Sequence, residues 1–307
     1  MVAIWRYDET MRHPTLLNDI LFKIVFGTKP NEPILRALLN AILGYSGVDR
    51  ITQVDLLNPF NEKIYNDERG VVLDIKAQDG KGRFYNVEVQ VESEFRYVDR
   101  SVYYAAELLA SQLQKGQSFI KLAPTIGISL VDFELFDDQE DLHSIFVLYD
   151  VAHRHKLSDI LEMHYIELKK FKESKPHALR TPFEKWLHIL KYSDFYQSLS
   201  SELPPELQEE EGIDMALDAM NRALARDEVR EMIEARLKFQ RDEATRLEVA
   251  LQQGIEKGIQ QGIEKGVRQE RTHVALKLLS TGFPVDAISQ ATGLSPEELK
   301  ALESTAT

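Results

Sequence analysis

The sequence predicts an α/β (α+β) fold, a mixed sheet flanked by helices and followed by a long helical tail. Three observations carry that expectation. Apolar residues recur at helical spacing from Leu16 to Leu43, alternate every second residue between about 51 and 91 and again between 125 and 171, and return to helical spacing from about 206 to 280. The order helix, strands, helix, strands is that of a sheet with helices packed on it.

Taken in order, Asn18 or Asp19 can cap a helix bearing Ile20, Leu21, Phe22, Val25 and Phe26. Gly27 and Pro30 separate it from a second helix that runs to about Leu43. A strand is expected near Ile51 to Leu57, and then a hairpin in which VVLDIKAQ and RFYNVEVQV flank the turn DGKG. Residues 100–117 read as a helix with Tyr103, Ala106, Leu109 and Leu113 on one face and Gly116 beyond it. Strands follow at 125–135 and 144–151, with a third candidate at 162–171, and a helix at Pro182 to Tyr192. Residues 201–221 then hold seven acids and no Lys or Arg, so the domain change is placed between Ser198 and Glu211. The expected divisions are 1–200, 201–281 and 282–307.

Composition narrows the chemistry. The 307 residues suffice for about two domains. No cysteine is present, which removes disulfides, thiolate metal sites and cysteine nucleophiles and leaves carboxylates, histidines and hydroxyls. No stretch approaches the roughly 18 apolar residues of a membrane span, and the opening MVAIWRYDETMRHP has no signal-peptide core, so a cytoplasmic location is expected. The net charge of −13 argues against coating nucleic acid by bulk charge. It is unevenly placed: residues 1–131 carry 15 bases and 16 acids, whereas 153–191 carry nine bases, five acids and five histidines. That last segment is a basic strip suited to phosphate.

The hairpin holds the candidate chemistry. Side chains alternate along a strand, so Val72, Asp74 and Lys76 share one face and Asn86, Glu88 and Gln90 share one on the partner. A three-residue turn at Gly80, Lys81 and Gly82, with Gly82 at positive φ, sets Asp74 opposite Glu88 with Cβ atoms about 5 Å apart. Two like charges held so close call for compensation, either by a hard divalent cation such as Mg²⁺ or by Lys76 and Arg83 on an exposed polar face. A two-residue turn at Asp79 and Gly80 would put the two acids on opposite faces, so the metal reading depends on the turn.

Asp74, a short turn and then Glu88-Val89-Gln90 resemble the core of the PD-(D/E)XK nucleases, and more specifically the recombination-promoting nuclease (Rpn) or PD-(D/E)XK transposase family, in which the last Lys of the motif is typically Gln. NDILFKIVFG (18–27), LRALLNAILG (35–44), RSVYYAAELLASQLQKG (100–116), PTIGISLVDFEL (124–135) and MHYIELKKF (163–171) resemble further segments of that family in the same order. The resemblance implies Mg²⁺-dependent hydrolysis of DNA phosphodiesters and a link to recombination, mobile elements or defence against foreign DNA. It implies that Asp74, Glu88 and the backbone carbonyl of Val89 hold the metal. Gln90 stands where the wider superfamily has a Lys, and a neutral amide does not titrate usefully as a base. Lys76 is a candidate for the missing cation. Asp19, Arg100 and Tyr104 match family positions and are accessory candidates, Asp19 also as a simple cap and Arg100 also as a partner for a carboxylate. A non-catalytic DNA-binding or interaction protein that keeps the fold is the alternative.

No rival motif stands out. Ser118 to Lys121 fits S-x-x-K only as a common coincidence, and His153 and His155 read as surface residues. Residues 254–269 read GIEK GIQQ GIEK GVRQ, with Gly254, Gly258, Gly262 and Gly266 each followed by Ile or Val. Each helical Gly costs about 1 kcal/mol relative to Ala, so a ladder of them points to close helix pairing, most simply a homodimer. After Gly282 and Pro284, Ser295-Pro296-Glu297-Glu298 reads as a capping box. Helix, Gly turn and helix there resemble a helix-turn-helix, but residues 272–307 carry two bases and four acids, which favours a small packing unit.

Overall fold

The computed structural model describes residues 14–60, 74–197 and 203–305; Val71 to Leu73, the opening segment and Ser198 lie outside them. The chain divides into two compact units, Met1–Arg236 and Leu237–Thr307.

The first unit opens with α1 (Asp19–Phe26), whose Asn18 side chain accepts from the Leu21 amide at the cap. Every residue from Ile20 to Phe26 is buried, so the helix runs through the core rather than along its edge. α2 (Glu32–Leu43) starts with Pro33 in its first turn and stops at Gly44, which is left-handed with φ 65°. The strands are β1 (Val54–Leu56), β2 (Ile75–Asp79), β3 (Phe84–Gln90), β4 (Thr125–Val131), β5 (His143–Asp150) and β6 (His155–Glu167). They form a six-stranded mixed sheet in the order β1-β2-β3-β4-β6-β5. β3, β4 and β6 run parallel at its centre, and antiparallel pairs close both sides.

Alternation along the central strands sorts their residues between two layers. Ile75, Ala77, Tyr85, Val87, Val89, Ile128 and Leu130 pack with α1, α2 and α4 (Pro182–Tyr192) in the main core around Trp186. The opposite face is covered by α3 (Tyr97–Ser111), with Tyr97 and Ala105 against Val131, Met163 and Tyr165. α3 lies in contact with the sheet at Gly127: a Cβ there would sit 3.5 Å from the Ala105 methyl and 2.6 Å from Sδ at the flexible end of the Met163 side chain, which would have to move aside.

Three differences from the sequence expectation have physical causes. α3 begins at Tyr97, three residues early, and ends before Gly116 because the Gln112 side chain bonds the Ala123 amide and the Thr125 hydroxyl instead of continuing a helical face. β6 starts at His155 rather than 162, since it pairs antiparallel with β5 past a bulge. The third concerns the boundary near residue 200. α5 (Pro205–Gln208), α6 (Ile213–Leu224) and the start of α7 (Asp227–Ser280) belong to the first unit, with Leu207, Ile213, Ala216, Met220, Val229 and Ile233 all in the main core. Of the described acids in the run, Glu206, Asp214 and Asp218 sit on α5 and α6, whose other face is buried, while Glu209, Glu210 and Glu211 lie in the turn between them and the last two are ion-paired.

In the second unit, the end of α7 packs with α8 (Val285–Thr292) and α9 (Pro296–Thr305) through Ala275, Ile288, Leu294 and Leu299. Gly293, with φ 72°, turns the chain between α8 and α9. Ser295 Oγ accepts from the Glu298 amide and the Glu298 carboxylate accepts from the Ser295 amide, the expected capping box. Among the described residues no helix is long and apolar enough to cross a membrane.

Candidate nuclease site

The site is built on the β2–β3 hairpin. Pairing runs Ile75 to Val87, Lys76 to Asn86, Ala77 to Tyr85 and Gln78 to Phe84, a register that continues to Asp74 opposite Glu88. The turn is the three-residue one, with Gly82 at φ 87°. Asp79 fastens it: its carboxylate accepts from the Lys81 and Arg83 amides, from Arg83 Nε at 2.7 Å and from the Tyr85 hydroxyl at 2.9 Å. Burial and the neighbouring Asp79 charge push the Tyr85 phenol well above its ordinary range, so it stays protonated and donates to Asp79.

Asp74 is held through its backbone. Its carbonyl accepts from Lys23 Nζ and from Asn58 Nδ2 at 3.2 Å, while Asn58 Oδ1 takes the Lys76 amide at 2.7 Å. Lys23 comes from the middle of α1 and is 4% exposed. Burial lowers its pKa to about 8, with the Lys76 charge acting in the same direction and Asp74 opposing. Sequence reasoning passed over Lys23. The signal was one charged residue in the otherwise apolar run ILFKIVF, four residues after Asp19.

Glu88 lies on the face under α3 and is 4% exposed, so that polar face is buried rather than bathed in solvent. Arg100 of α3 donates from Nη2 to Glu88 Oε1 at 2.9 Å and from Nη1 to Glu94. Burial raises the Glu88 pKa, Arg100 pulls it down, and Asp74 and Glu94 raise it further. Among the described residues, three buried polar atoms of this group have no partner: Glu88 Oε2, Asn86 Oδ1 and Arg100 Nε. Each such atom costs about 1–3 kcal/mol when left unpaired, and native interiors contain few of them. They belong to one carboxylate, its neighbour on the same strand face and its ion-pair partner, a grouping that a ligand would complete.

The other expected residues are placed as follows. Lys76 Nζ lies 3.7 Å from Asp74 Oδ2 and 3.7 Å from Glu107 Oε2, between two carboxylates. Gln90 does not reach free into the site: Nε2 donates to the Glu92 carbonyl and to Glu94 Oε1 at 2.9 Å, and Oε1 accepts from Arg100 Nη2 at 3.4 Å. Val89 is buried on the main-core side. Tyr104 stands edge-on to Tyr103 on α3, with its ring oxygen near the Arg100 charge. Asp19 departs from the accessory role: Oδ2 is taken by Arg236 Nε at 2.7 Å and Oδ1 by the Ile20 amide. The pairing fastens the start of α7 to the first unit. Glu94 and Glu107 join the site without having been foreseen, because their approach depends on how α3 folds back over the sheet.

Part of the expected basic strip is used internally. Lys170 and Lys185 pair with Glu167 and Glu210 and Lys191 donates to the Leu168 and Phe171 carbonyls, which fastens the fold. Lys156 and Lys169 make surface pairs with Asp159 and Glu134 that are readily exchanged.

As to a metal, among the described residues no three His, Asp or Glu side chains gather into a ready-made ligand set. Mg²⁺ asks for less, being held commonly by one or two carboxylates with substrate phosphate and water. Asp74 and the unpartnered Glu88 Oε2 fit that requirement.

A mixed sheet with an Asp–Glu hairpin at its centre and a covering helix defines a nuclease-type core. The chain belongs to the PD-(D/E)XK nuclease family transposases, whose family profile matches residues 16–250. Residues 268–304 match the C-terminal HTH domain of the Rpn/YhgA-like nuclease family. That corrects the plain packing unit expected from charge. Counting from residue 272 left out Arg268 and Arg271 of α7, and the matched segment carries four bases and five acids. No curated protein and no solved structure matches the chain.

Proposed function

We propose that the protein is a metal-dependent DNA endonuclease, with Asp74, Glu88 and the Val89 carbonyl holding a divalent cation, most simply Mg²⁺. The observation that carries this is the buried, unpartnered Glu88 Oε2 opposite Asp74 on a hairpin of fixed register. A bound divalent cation supplies polarisation of the scissile phosphate and a water of lowered pKa.

The remaining roles belong to this chain's own groups. Arg100 fixes the Glu88 rotamer through Oε1 and leaves Oε2 turned to the site. Lys23 and Asn58 hold the Asp74 backbone and so aim its carboxylate. Lys76, 28% exposed between two acids, is placed to meet a phosphate oxygen. Gln90 ties the strand end to Glu94 and does no proton transfer. The HTH unit would add contacts to DNA away from the cut. The family's ties to recombination, mobile elements and defence against foreign DNA suggest the setting.

The test is plasmid cleavage with Mg²⁺ by the wild type, Asp74→Ala and Glu88→Ala. Nicking or linearisation that needs the metal and is lost in both variants is expected. Metal-independent cutting, or cutting untouched by either change, would sink the site. Binding of DNA without any cutting would favour the non-catalytic alternative.

Self-association through α7 is proposed with it. Leu247, Leu251, Ile255, Ile259, Ile263 and Val267 recur every four residues and are 44–65% exposed. A Cβ at Gly254, Gly258, Gly262 or Gly266 would meet nothing within 4 Å. Rows of residues four apart pack against their like at a crossing angle of about −50°, so two copies would touch over a few turns. The double variant Gly258→Leu, Gly262→Leu should lower the mass seen by light scattering. An unchanged mass removes this part of the proposal.

A further inference from the structure

Beyond Gln90 the chain leaves β3 and turns through residues 91–96 into α3. In that turn Phe95 is 95% exposed, among the most exposed large apolar side chains described. The next residue, Arg96, has φ 62° and ψ 29°, a left-handed conformation that long side chains rarely adopt. Both neighbours of this pair are fastened. Glu94 accepts from Arg100 and from Gln90 Nε2 at 2.9 Å, and Tyr97 is 2% exposed and packed edge-on against Phe133 at 5.8 Å. The backbone is thus held in a costly shape between two fixed points, and the visible result is one aromatic ring pointing into solvent.

Its position is not remote. Glu94 and Glu88 grip the same Arg100 guanidinium, so Phe95 follows directly on a residue bound to the partner of the candidate metal ligand. The Arg96 guanidinium lies 5.9 Å from the Phe95 ring, and its pairing with Asp99 is at the surface, 73% and 70% exposed, where it is readily exchanged. Along the chain the ring is bracketed by Glu92, Glu94, Arg96 and Asp99. An apolar protein groove or a lipid tail would have to bury those charges. A nucleobase has a face for the ring and, beside it, a phosphate for Arg96. The carboxylates at 92 and 99 leave an uncharged base face unaffected and confine phosphate contact to Arg96, whose exposed pairing with Asp99 would give way to it.

We propose that Phe95 is a stacking residue that lies against a nucleobase of DNA next to the scissile phosphate, with Arg96 on the adjoining phosphate. This rests on phosphodiester hydrolysis at Asp74 and Glu88, and the test separates the two. Full-length wild type, Phe95→Ala and Phe95→Trp are compared on plasmid and on bis(p-nitrophenyl) phosphate, a diester with no base. The loss in Phe95→Ala should be at least tenfold greater on plasmid than on the small diester, and Phe95→Trp should restore plasmid cleavage. Equal losses on the two substrates, or none on plasmid, overturn the assignment.

A second readout does not need turnover. With Ca²⁺ in place of Mg²⁺, the extra fluorescence of Phe95→Trp over wild type should be quenched by short oligonucleotides. Quenching by duplex marks a base step opened by the ring, and quenching by single strands alone marks an unpaired base. No quenching by either overturns the proposal. Quenching without any hydrolysis by wild type upholds Phe95 and overturns the catalytic reading instead.

Discussion

Lys23 is an ammonium in the core, and an amine without a partner there would be expensive. Its bond to the Asp74 carbonyl is what makes it affordable, and it works in both directions, because the same bond positions Asp74. Lys23→Met keeps the length and removes the charge. It should leave the melting temperature within a few degrees of wild type and lower plasmid cleavage at least tenfold. Full activity in that variant would show that Asn58 alone suffices to place Asp74.

His143 offers a pH test away from the site. It bonds His164 through the two rings at 2.9 Å, stacks on Phe183 at 5.3 Å, and burial with the neighbouring His164 lowers its pKa from about 6.5 to about 4. The unfolded chain therefore binds a proton that the folded chain refuses between those values. The associated stability is full above pH 6.5 and is lost as pH falls toward 4. His143→Phe should narrow the difference in melting temperature between pH 7.5 and pH 5. An unchanged difference would mean that other groups set the acid limit.

At the scale of elements, the cap at Asn18 and the capping box at Ser295 and Glu298 were legible because each needs particular residues at particular places, whereas a second capping box, at Thr181 and Glu184, emerges only from the structure. Thr181 accepts from the Glu184 amide at 3.1 Å and Glu184 accepts from the Thr181 amide at 3.0 Å, the capping box of α4. Thr181→Ala should cost about 0.5–2 kcal/mol, visible as a fall of a few degrees in a thermal melt. The hairpin was half legible: alternation gave the faces of each strand, but two turns stayed open, and the structure takes the three-residue one with Gly82 at positive φ. What stayed hidden was which helix covers the polar face. Neither the apolar spacing of α3 nor the sequence around Glu94 says that Arg100 will reach back to Glu88, since that contact exists only once a parallel crossover has closed. The left-handed Arg96 was hidden too, because no glycine announces it.

For the whole molecule, a shift in composition misled about the boundary. Residues 201–221 carry seven acids, the ground for a domain change between Ser198 and Glu211, yet Ile213, Ala216, Leu217 and Met220 make one buried stripe on α6. Arg36 and Arg50 both bind Glu211 and tie that segment to α2 and to the loop before β1. A chain ending at Arg236 should therefore melt cooperatively, whereas one ending at residue 200 should be recovered insoluble or melt without a transition. A cooperative melt from the shorter chain would return the boundary to where charge placed it.

Surface turns usually accept insertions and deletions with little harm. The turn at Gly80–Gly82 is of that kind, because the two-residue Gly-Gly loop left by the loss of Lys81 can still close the Asp79–Arg83 pair. The strand beside it is not, and the reason is parity: losing the single codon for Gln78 would move every residue before it one place along β2, so that Ile75 and Ala77 turned toward the layer of Glu88 and Asp74 away from it. Among descendants of this gene such a loss would be a recognisable lesion: a chain that keeps every candidate site residue and has lost the site.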